Sequence, residues 1–280
     1  MKILFAEHNV EETTPGVLQK EGHEVFVPKE DIVDVHEFGR DELLATLKSI
    51  KPDVLVVGLK FKIDSEILSG LKAVFTRTTG LDHIDLEKAK ELGVEIHSLR
   101  GSDLSDIKAV PELTLCMMIH LMRFLEKPGY ELYGKTLGII GLGRIGKMVG
   151  QLGVGFGMKV ISYDKADKPE KLTFLLNNSH VISLHVTADE ENRGMINYEH
   201  FKAMSLSPFF LNPSRPWLVS DLEQALKEEL ISGAWVDFPL EFKHPKLVTT
   251  DHLGGKTHES AEKTESILVQ KIISYGKSSL

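Results

Sequence analysis

The most specific chemical signal in the sequence is a glycine-rich turn in the segment GIIGLGRIGKMVG. Gly141, Gly143 and Gly146 have the spacing G-x-G-x-x-G, directly after an apolar strand and at the start of a helical pattern. The first glycine permits a tight turn, the second lets a pyrophosphate approach the backbone, and the third lets helix and strand pack closely. Asp164 ends the next predicted strand, where an acid binds a ribose 2′-hydroxyl and repels a 2′-phosphate. The segment predicts a dinucleotide site for NAD; the alternative is a turn that needs glycine only for its shape.

Three side chains downstream of this turn have the types that hydride transfer to a 2-oxo acid requires: Arg215, Glu241 and His252. Arginine offers two parallel donors to a carboxylate. Histidine ionises near neutral pH, so it can protonate a carbonyl oxygen as hydride arrives, and a nearby carboxylate would hold the imidazolium in place. The alternative readings are a surface arginine at a strand end and a turn histidine beside Gly254.

The order of the longer motifs resembles one family, the D-isomer-specific 2-hydroxyacid dehydrogenases. In the second half these motifs are ELYGKTLGIIGLGRIGKMV, GMKVISYD, VISLHV, ENRGMIN, LNPSR, GAWVDF and DHLGGKT, and in the first half TRTTGLDHIDLEKAKELGV and AVPELTL. The resemblance covers nearly the whole chain. It implies an α/β fold with two doubly wound parallel-sheet domains, a flavodoxin-like substrate domain and a Rossmann NAD-binding domain. It also implies NAD-dependent interconversion of a small 2-oxo acid and its D-2-hydroxy acid.

The resemblance assigns a role to each catalytic candidate. LNPSR is similar to the segment whose arginine binds the substrate carboxylate and carbonyl, so Arg215 takes that role. DHLGG is similar to the segment with the acid/base histidine, which implies His252. Glu241 is the only acid between Asp237 and Asp251, so it takes the place of the family glutamate, one residue early.

The resemblance also implies residues that bind substrate and cofactor. Thr78, Thr79 and Gly80 match the backbone loop that grips the substrate carboxylate. Lys60 follows a first-domain strand and would favour a second acidic group on the substrate, unless it is simply a solvated lysine. The implied cofactor positions are Gly141, Gly143, Arg144, Ile145, Gly146, Asp164, Val186, Thr187, Asn212, Pro213, Asp237 and Gly254. His83 and His185 are expected to pack or hydrogen bond, and no metal site is predicted.

The chain departs from the family pattern around these residues. Pro216 and Trp217 follow the arginine, where glycines are usual, and proline biases Arg215 away from the α region. Asp251 replaces a proline before His252 and is expected to raise the histidine pKa. FLEKPGY replaces a longer arm that helps subunits of relatives to pair, so the expected homodimer is weakened. Between Asp164 and VISLHV there is room for one helix only, so a family strand is expected to be missing.

Strand-length apolar runs alternate with amphipathic helical patterns along the whole chain, which indicates parallel sheets covered on both faces. We predict a discontinuous substrate domain at residues 1–98 and 258–280 and an NAD-binding domain at residues 99–257. The longest helix is expected at about residues 107–124. SDLEQAL is expected to open a helix with a capping box formed by Ser220 and Glu223.

Composition excludes several other classes of protein. The 280 residues carry a formal charge of −8, which argues against a nucleic-acid partner. No apolar stretch reaches the roughly 20 residues that span a bilayer. The single Cys116 lies among apolar residues, suits a reducing cytoplasm and is expected to be a packed thiol.

The alternative function is a dinucleotide-sensing, corepressor-like binding protein or an inactive homologue that kept the fold.

Overall fold

A computed structural model describes residues 1–6, 13–27, 39–125 and 127–278. The chain divides into two units, Met1–Leu104 with Ala261–Leu280, and Ser105–Ser260. These boundaries lie a few residues beyond the predicted positions 98 and 257. Each unit is built around its own parallel sheet.

The strands form one five-stranded and one six-stranded sheet in the described part of the chain. They are β1 (Lys2–Phe5), β2 (Glu24–Phe26), β3 (Val54–Val57), β4 (Ala73–Thr76), β5 (Glu95–His97), β6 (Thr136–Ile140), β7 (Lys159–Tyr163), β8 (Val181–Leu184), β9 (Phe209–Asn212), β10 (Gly233–Val236) and β11 (Leu247–Thr249). The strand orders are β2-β1-β3-β4-β5 and β11-β10-β9-β8-β6-β7. Every pair is parallel, as in doubly wound α/β folds, so the predicted fold class is confirmed.

Helices lie between most successive strands, and β10 is followed directly by β11. The helices are α1 (Thr13–Lys20), α2 (Arg40–Ile50), α3 (Ser65–Leu68), α4 (Leu86–Leu92), α5 (Ala109–Phe124), α6 (Arg144–Gly155), α7 (Pro169–Asn178), α8 (Tyr198–Lys202), α9 (Leu222–Lys227) and α10 (His258–Ser278). A single helix, α7, joins β7 to β8, as the length of this segment predicts. Among the helices described, none combines the length and the apolar character needed to cross a bilayer.

The cores show why apolar runs became central strands. All four residues of β3, VLVV, are buried, and so are all four residues of β4, because helices cover both faces of the sheet. On one face Phe75 packs with Leu268 and Ile272 of α10, so the last helix belongs to the first unit. On the other face Ile67 and Leu68 belong to a second buried cluster.

Local signals at helix ends were predicted with mixed success. Asp85 caps α4 by accepting a hydrogen bond from Lys88 N at 2.9 Å, as its sequence pattern indicates. The capping box predicted for α9 is wrong. Asp221 occupies the N-cap in a left-handed conformation with φ 62°, and Ser220 Oγ donates to its carboxylate at 2.7 Å, whereas a capping box would require Ser220 Oγ to accept from a helix N–H. Cys116 was also predicted wrongly, because it lies on the exposed face of α5.

The second sheet brings the candidate residues to one edge. Because its strands are parallel, their carboxyl ends all meet at the edge where open α/β sheets bind ligands. This edge carries, in chain order, Gly141, Asp164, Val186, Asn212, Asp237 and His252, of which Asn212 is the last residue of β9 and the others follow their strands.

Candidate active site

The three glycines of the turn have separate physical roles. Gly141 has φ 97°, and a Cβ there would lie 2.6 Å from the carbonyl oxygen of His185, so only glycine fits. A Cβ on Gly146 would collide with the carbonyl oxygen of Gly141. Gly143, in contrast, has nothing within 4 Å of its Cβ position. The turn therefore leaves open space at its second glycine, where a pyrophosphate must approach the backbone.

Helix α6 begins at this open space. Its N-cap, Gly143, has no side chain to bond the first main-chain N–H groups, which include those of Arg144 and Ile145. The Arg144 side chain turns elsewhere, since its Nη1 donates to Ile107 O at 3.0 Å. The N–H groups of a helix N-terminus and the helix dipole favour an anion at this end. The turn thus fits the phosphates of a dinucleotide.

Asp164 stands beside the turn at the end of β7. One carboxylate oxygen accepts a hydrogen bond from Leu142 N at 2.8 Å, and the other accepts one from Lys165 N at 2.7 Å. Each oxygen can accept a further bond, so the carboxylate can hold a ribose hydroxyl. Its negative charge disfavours a 2′-phosphate, which fits NAD rather than NADP.

The loop after β8 adds Val186 and Thr187. Val186 is half-buried, whereas Thr187 is exposed and donates its hydroxyl to Asp189 at 3.1 Å. Just before them, the imidazole of His185 shares a 2.8 Å hydrogen bond with Ser183 Oγ. Burial lowers the pKa of His185 to about 3, so this ring is neutral and structural, as predicted.

The arginine loop is braced by Asn212, the buried last residue of β9. Asn212 Oδ1 accepts a hydrogen bond from Ser214 N, and Asn212 Nδ2 donates to Arg215 O, both at 2.9 Å. Pro213 lies half-buried within this closed turn. The backbone of Arg215 is extended, with φ −140° and ψ 151°, as expected before Pro216. Arg215 Nη1 also donates to Ser214 O at 3.0 Å, so the guanidinium stays near its own loop.

The histidine loop is held by one carboxylate. Asp237 is 2% exposed, and its Oδ1 accepts hydrogen bonds from Thr250 Oγ1 and Leu253 N, both at 2.7 Å. Its Oδ2 accepts one from Gly254 N at 2.7 Å, and a Cβ on Gly254 would lie 2.9 Å from that oxygen. These bonds surround His252, whose backbone is left-handed with φ 49°. Asp237 therefore fixes the conformation from which the imidazole projects.

His252 is neutral in the free protein. Burial is the main cause that lowers its pKa, and the positive charge of Arg215 lowers it further. The Asp237 carboxylate acts in the opposite direction without overcoming these effects. Asp251 is not among the groups that shift this pKa, so the expected increase is not found, and the carbonyl oxygen of Asp251 accepts a bond from Lys256 Nζ at 2.7 Å. The charge of Arg215 therefore acts on the imidazole of His252 within the second unit.

Glu241 does not join this group. It is exposed, and no hydrogen bond or ion pair between Glu241 and His252 occurs among the described residues. Its neighbours explain this, because Leu240 and Phe242 pack against the core of the second unit and leave the intervening side chain outside. The carboxylate beside the histidine loop is Asp237. Thr250 was not predicted, since a threonine at a strand end is too common a signal to single out.

In the first unit, Thr78, Thr79 and Gly80 form a turn after β4. Thr78 Oγ1 donates to Gly80 O at 2.6 Å. The hydrogen bonds of the described residues include none from the main-chain N–H groups of these three residues. Three such groups in one turn can bind a carboxylate. Lys60 is exposed in its own loop, with Nζ 5.6 Å from the ring centre of Phe61.

Taken together, the glycine turn, Asp164 and the loops of the second sheet define a dinucleotide-binding α/β domain. Residues 119–254 match the family described as D-isomer specific 2-hydroxyacid dehydrogenase, NAD binding domain. Hydroxypyruvate reductase of Thermotoga maritima is 32% identical, over 91% of this chain and 94% of its own length. Glyoxylate reductase of Thermococcus litoralis is 31% identical, over 85% and 84% of the two chains. This chain belongs to the D-isomer specific 2-hydroxyacid dehydrogenase family.

Solved structures extend the similarity over both units. NAD⁺-bound 3-phosphoglycerate dehydrogenase of Entamoeba histolytica has a TM-score of 0.84 at 26% identity, covering 100% of this chain and 96% of that one. The TT0316 protein of Thermus thermophilus has a TM-score of 0.80 at 27% identity, covering 96% and 94%. The predicted family, enzyme class and NAD cofactor are thereby confirmed.

Proposed function

We propose that this protein reduces a small 2-oxo acid to the D-2-hydroxy acid with NADH and catalyses the reverse reaction with NAD⁺. The observations that support this proposal are the positions of Arg215 and His252, which follow β9 and β11 at the carboxyl edge of the sheet that holds the glycine turn, and the effect of the Arg215 charge on the His252 pKa. A cation for the carboxylate and an acid/base group for the carbonyl oxygen are the two functions that this reaction requires of side chains.

Bound NAD supplies or accepts the hydride at its nicotinamide ring. Arg215 pairs with the substrate carboxylate through two parallel N–H groups and donates to the carbonyl oxygen. Within the first unit, the main-chain N–H groups of residues 78–80 are the donors that the family resemblance assigns to a substrate carboxylate. His252 gives a proton to the carbonyl oxygen as it gains negative charge, which removes the need for a free alkoxide.

The low pKa of free His252 fits both directions of the reaction. A neutral imidazole is ready to accept the hydroxyl proton of a 2-hydroxy acid. When a 2-oxo acid binds, its carboxylate offsets the charge of Arg215, which is one cause of the low pKa. We therefore infer that His252 takes up a proton together with the 2-oxo acid and then passes it to the substrate.

In this proposal Asp237, and not Glu241, is the carboxylate that supports His252. Asp237 holds the His252 loop through three hydrogen bonds and is the carboxylate that opposes the fall in the histidine pKa. Its Oδ2 accepts only one of these bonds, so the predicted contact with the nicotinamide carboxamide stays open to it.

The experiment is an NADH absorbance assay with glyoxylate, hydroxypyruvate, pyruvate and a phosphorylated 2-oxo acid. Glyoxylate and hydroxypyruvate come first because two relatives bear the names of their reductases. Arg215→Gln should lower kcat/KM on the order of 100-fold or more, because two charge-assisted hydrogen bonds are lost. Arg193→Gln is the matched control, since Arg193 is exposed and paired only with Glu190.

Equal turnover by Arg215→Gln and the control would contradict the proposal. No turnover on any acid, with NADH still bound, would favour the dinucleotide-sensing binding protein instead. A preference for the phosphorylated acid that disappears in Lys60→Gln would support the second acidic group proposed for Lys60. Cytoplasmic location and a homodimer remain predictions.

A further inference from the structure

Hydrogen bonds link three side chains next to the turn at residues 78–80: Thr76, Thr78 and His83. Thr76, the last residue of β4, is fully buried, and His83 is 7% exposed. Thr76 Oγ1 lies 2.9 Å from Thr78 Oγ1 and 3.2 Å from His83 Nε2. Thr78 Oγ1 in turn lies 2.6 Å from Gly80 O. All four residues belong to the first unit.

The number of hydrogens that each group carries determines which group donates in each of these hydrogen bonds. A carbonyl oxygen only accepts, so Thr78 must use its single hydroxyl hydrogen on Gly80 O. Thr78 Oγ1 therefore accepts from Thr76, which spends the only hydroxyl hydrogen of Thr76. Thr76 Oγ1 must then accept from His83, so the imidazole carries a hydrogen on Nε2.

The same count of hydrogens limits which groups of residues 78–80 can donate a hydrogen bond to a substrate. The hydroxyl of Thr78 has no hydrogen left to donate to a substrate. It instead closes the turn by holding the carbonyl of Gly80, two residues further on. The donors left for an anion are the main-chain N–H groups of Thr78, Thr79 and Gly80, for which the described residues provide no partner.

We propose that His83, Thr76 and Thr78 form a positioning relay that holds these N–H groups in the arrangement that binds the substrate carboxylate. This inference rests on the proposed function. His83 and Thr76 act through Thr78, so they are positioning residues. If these three residues only packed in the core, the direction of their hydrogen bonds would not affect substrate binding.

The kinetic test compares Thr76→Val, which keeps the shape of the side chain but removes the hydroxyl, with Thr76→Ser, which keeps the hydroxyl. We expect Thr76→Val to raise KM for the 2-oxo acid about five- to tenfold, as for one lost hydrogen bond, with KM for NADH unchanged. Thr76→Ser should restore the wild-type KM. Thr114→Val is the matched control, because Thr114 is equally buried and bonds only Val110 O of its own helix.

A KM for Thr76→Val that equals that of Thr114→Val would overturn the relay, provided the wild type turns over a 2-oxo acid. A wild type inactive on every 2-oxo acid would instead remove the proposed function. The tautomer of His83, read by ¹⁵N NMR of the wild-type protein, needs neither turnover nor a folded variant. A hydrogen on Nε2 is expected, and a neutral ring with a bare Nε2 would refute the relay.

Discussion

Asp237 shows how much one buried carboxylate can determine. It accepts three hydrogen bonds of 2.7 Å from the loop around His252. Asp237→Asn turns one acceptor into a donor, so at least one loop N–H loses its partner. We expect kcat to fall at least about tenfold and the free energy of unfolding to fall by about 1–3 kcal/mol.

Steady-state kinetics and urea unfolding test this prediction. Asp251→Asn is the control, because Asp251 is an exposed acid next to the same histidine and supplies only its main-chain carbonyl to a hydrogen bond. The prediction fails if the two variants are equally active and equally stable.

The pKa of His252 predicts the pH dependence of both directions. Burial and Arg215 lower this pKa from its ordinary value of 6.5, so the free enzyme loses the imidazolium below neutral pH. For reduction, kcat/KM should fall as pH rises through this lowered pKa, because the proton donor disappears. For oxidation, kcat/KM should rise over the same range and then level off. A pH–rate profile in both directions checks this, and parallel profiles would contradict it.

At the scale of secondary-structure elements, the glycine turn allows a substitution that should affect cofactor binding and leave folding unchanged. A Cβ on Gly143 meets nothing within 4 Å, whereas one on Gly150 of α6 makes ordinary contacts at 3.6 Å with Val160. Gly143→Ala should therefore keep its Tm but raise KM for NADH about tenfold or more, since the methyl group occupies the path of the pyrophosphate. Gly150→Ala should leave that KM unchanged. Thermal unfolding with NADH titration distinguishes the two variants.

The secondary-structure elements also show which features the sequence predicts and which it does not. Buried runs such as VLVV identified parallel strands, because only a sheet covered on both faces tolerates them. Asp221 could not be predicted as an N-cap, since its left-handed backbone is set by tertiary structure. Likewise Glu241 was chosen by its position in the sequence, whereas packing of Phe242 and Leu240 decides where it lies.

At the scale of the whole molecule, exposed aromatic side chains bear on the predicted homodimer. Phe124 is 65% exposed at the end of α5, and Tyr133 is 79% exposed before β6. Burying them would favour association. We expect a dimer that dissociates on dilution, and Phe124→Asp with Tyr133→Asp to give a monomer. Phe174→Asp, at a 56% exposed site on α7, is the control in light scattering. A wild type that is monomeric at every concentration would contradict this prediction.

The order of motifs along the chain was sufficient to identify the family and the NAD-binding domain. The hydrogen bonds of Asp237 and of Thr76 were not predictable in the same way. The Asp237–Thr250 bond depends on the register of β10 and β11, and the Thr76–Thr78 bond depends on the local conformation after β4.

The left-handed backbone of His252 means that the chain has a residue here that folding alone would not favour. At φ 49° asparagine is tolerated better than histidine. His252→Asn should therefore unfold at an equal or higher Tm while turnover is lost, a trade of activity for stability at a single position. Calorimetry beside the absorbance assay would show it, and a lower Tm would mean that the imidazole contributes more to the fold than its backbone costs.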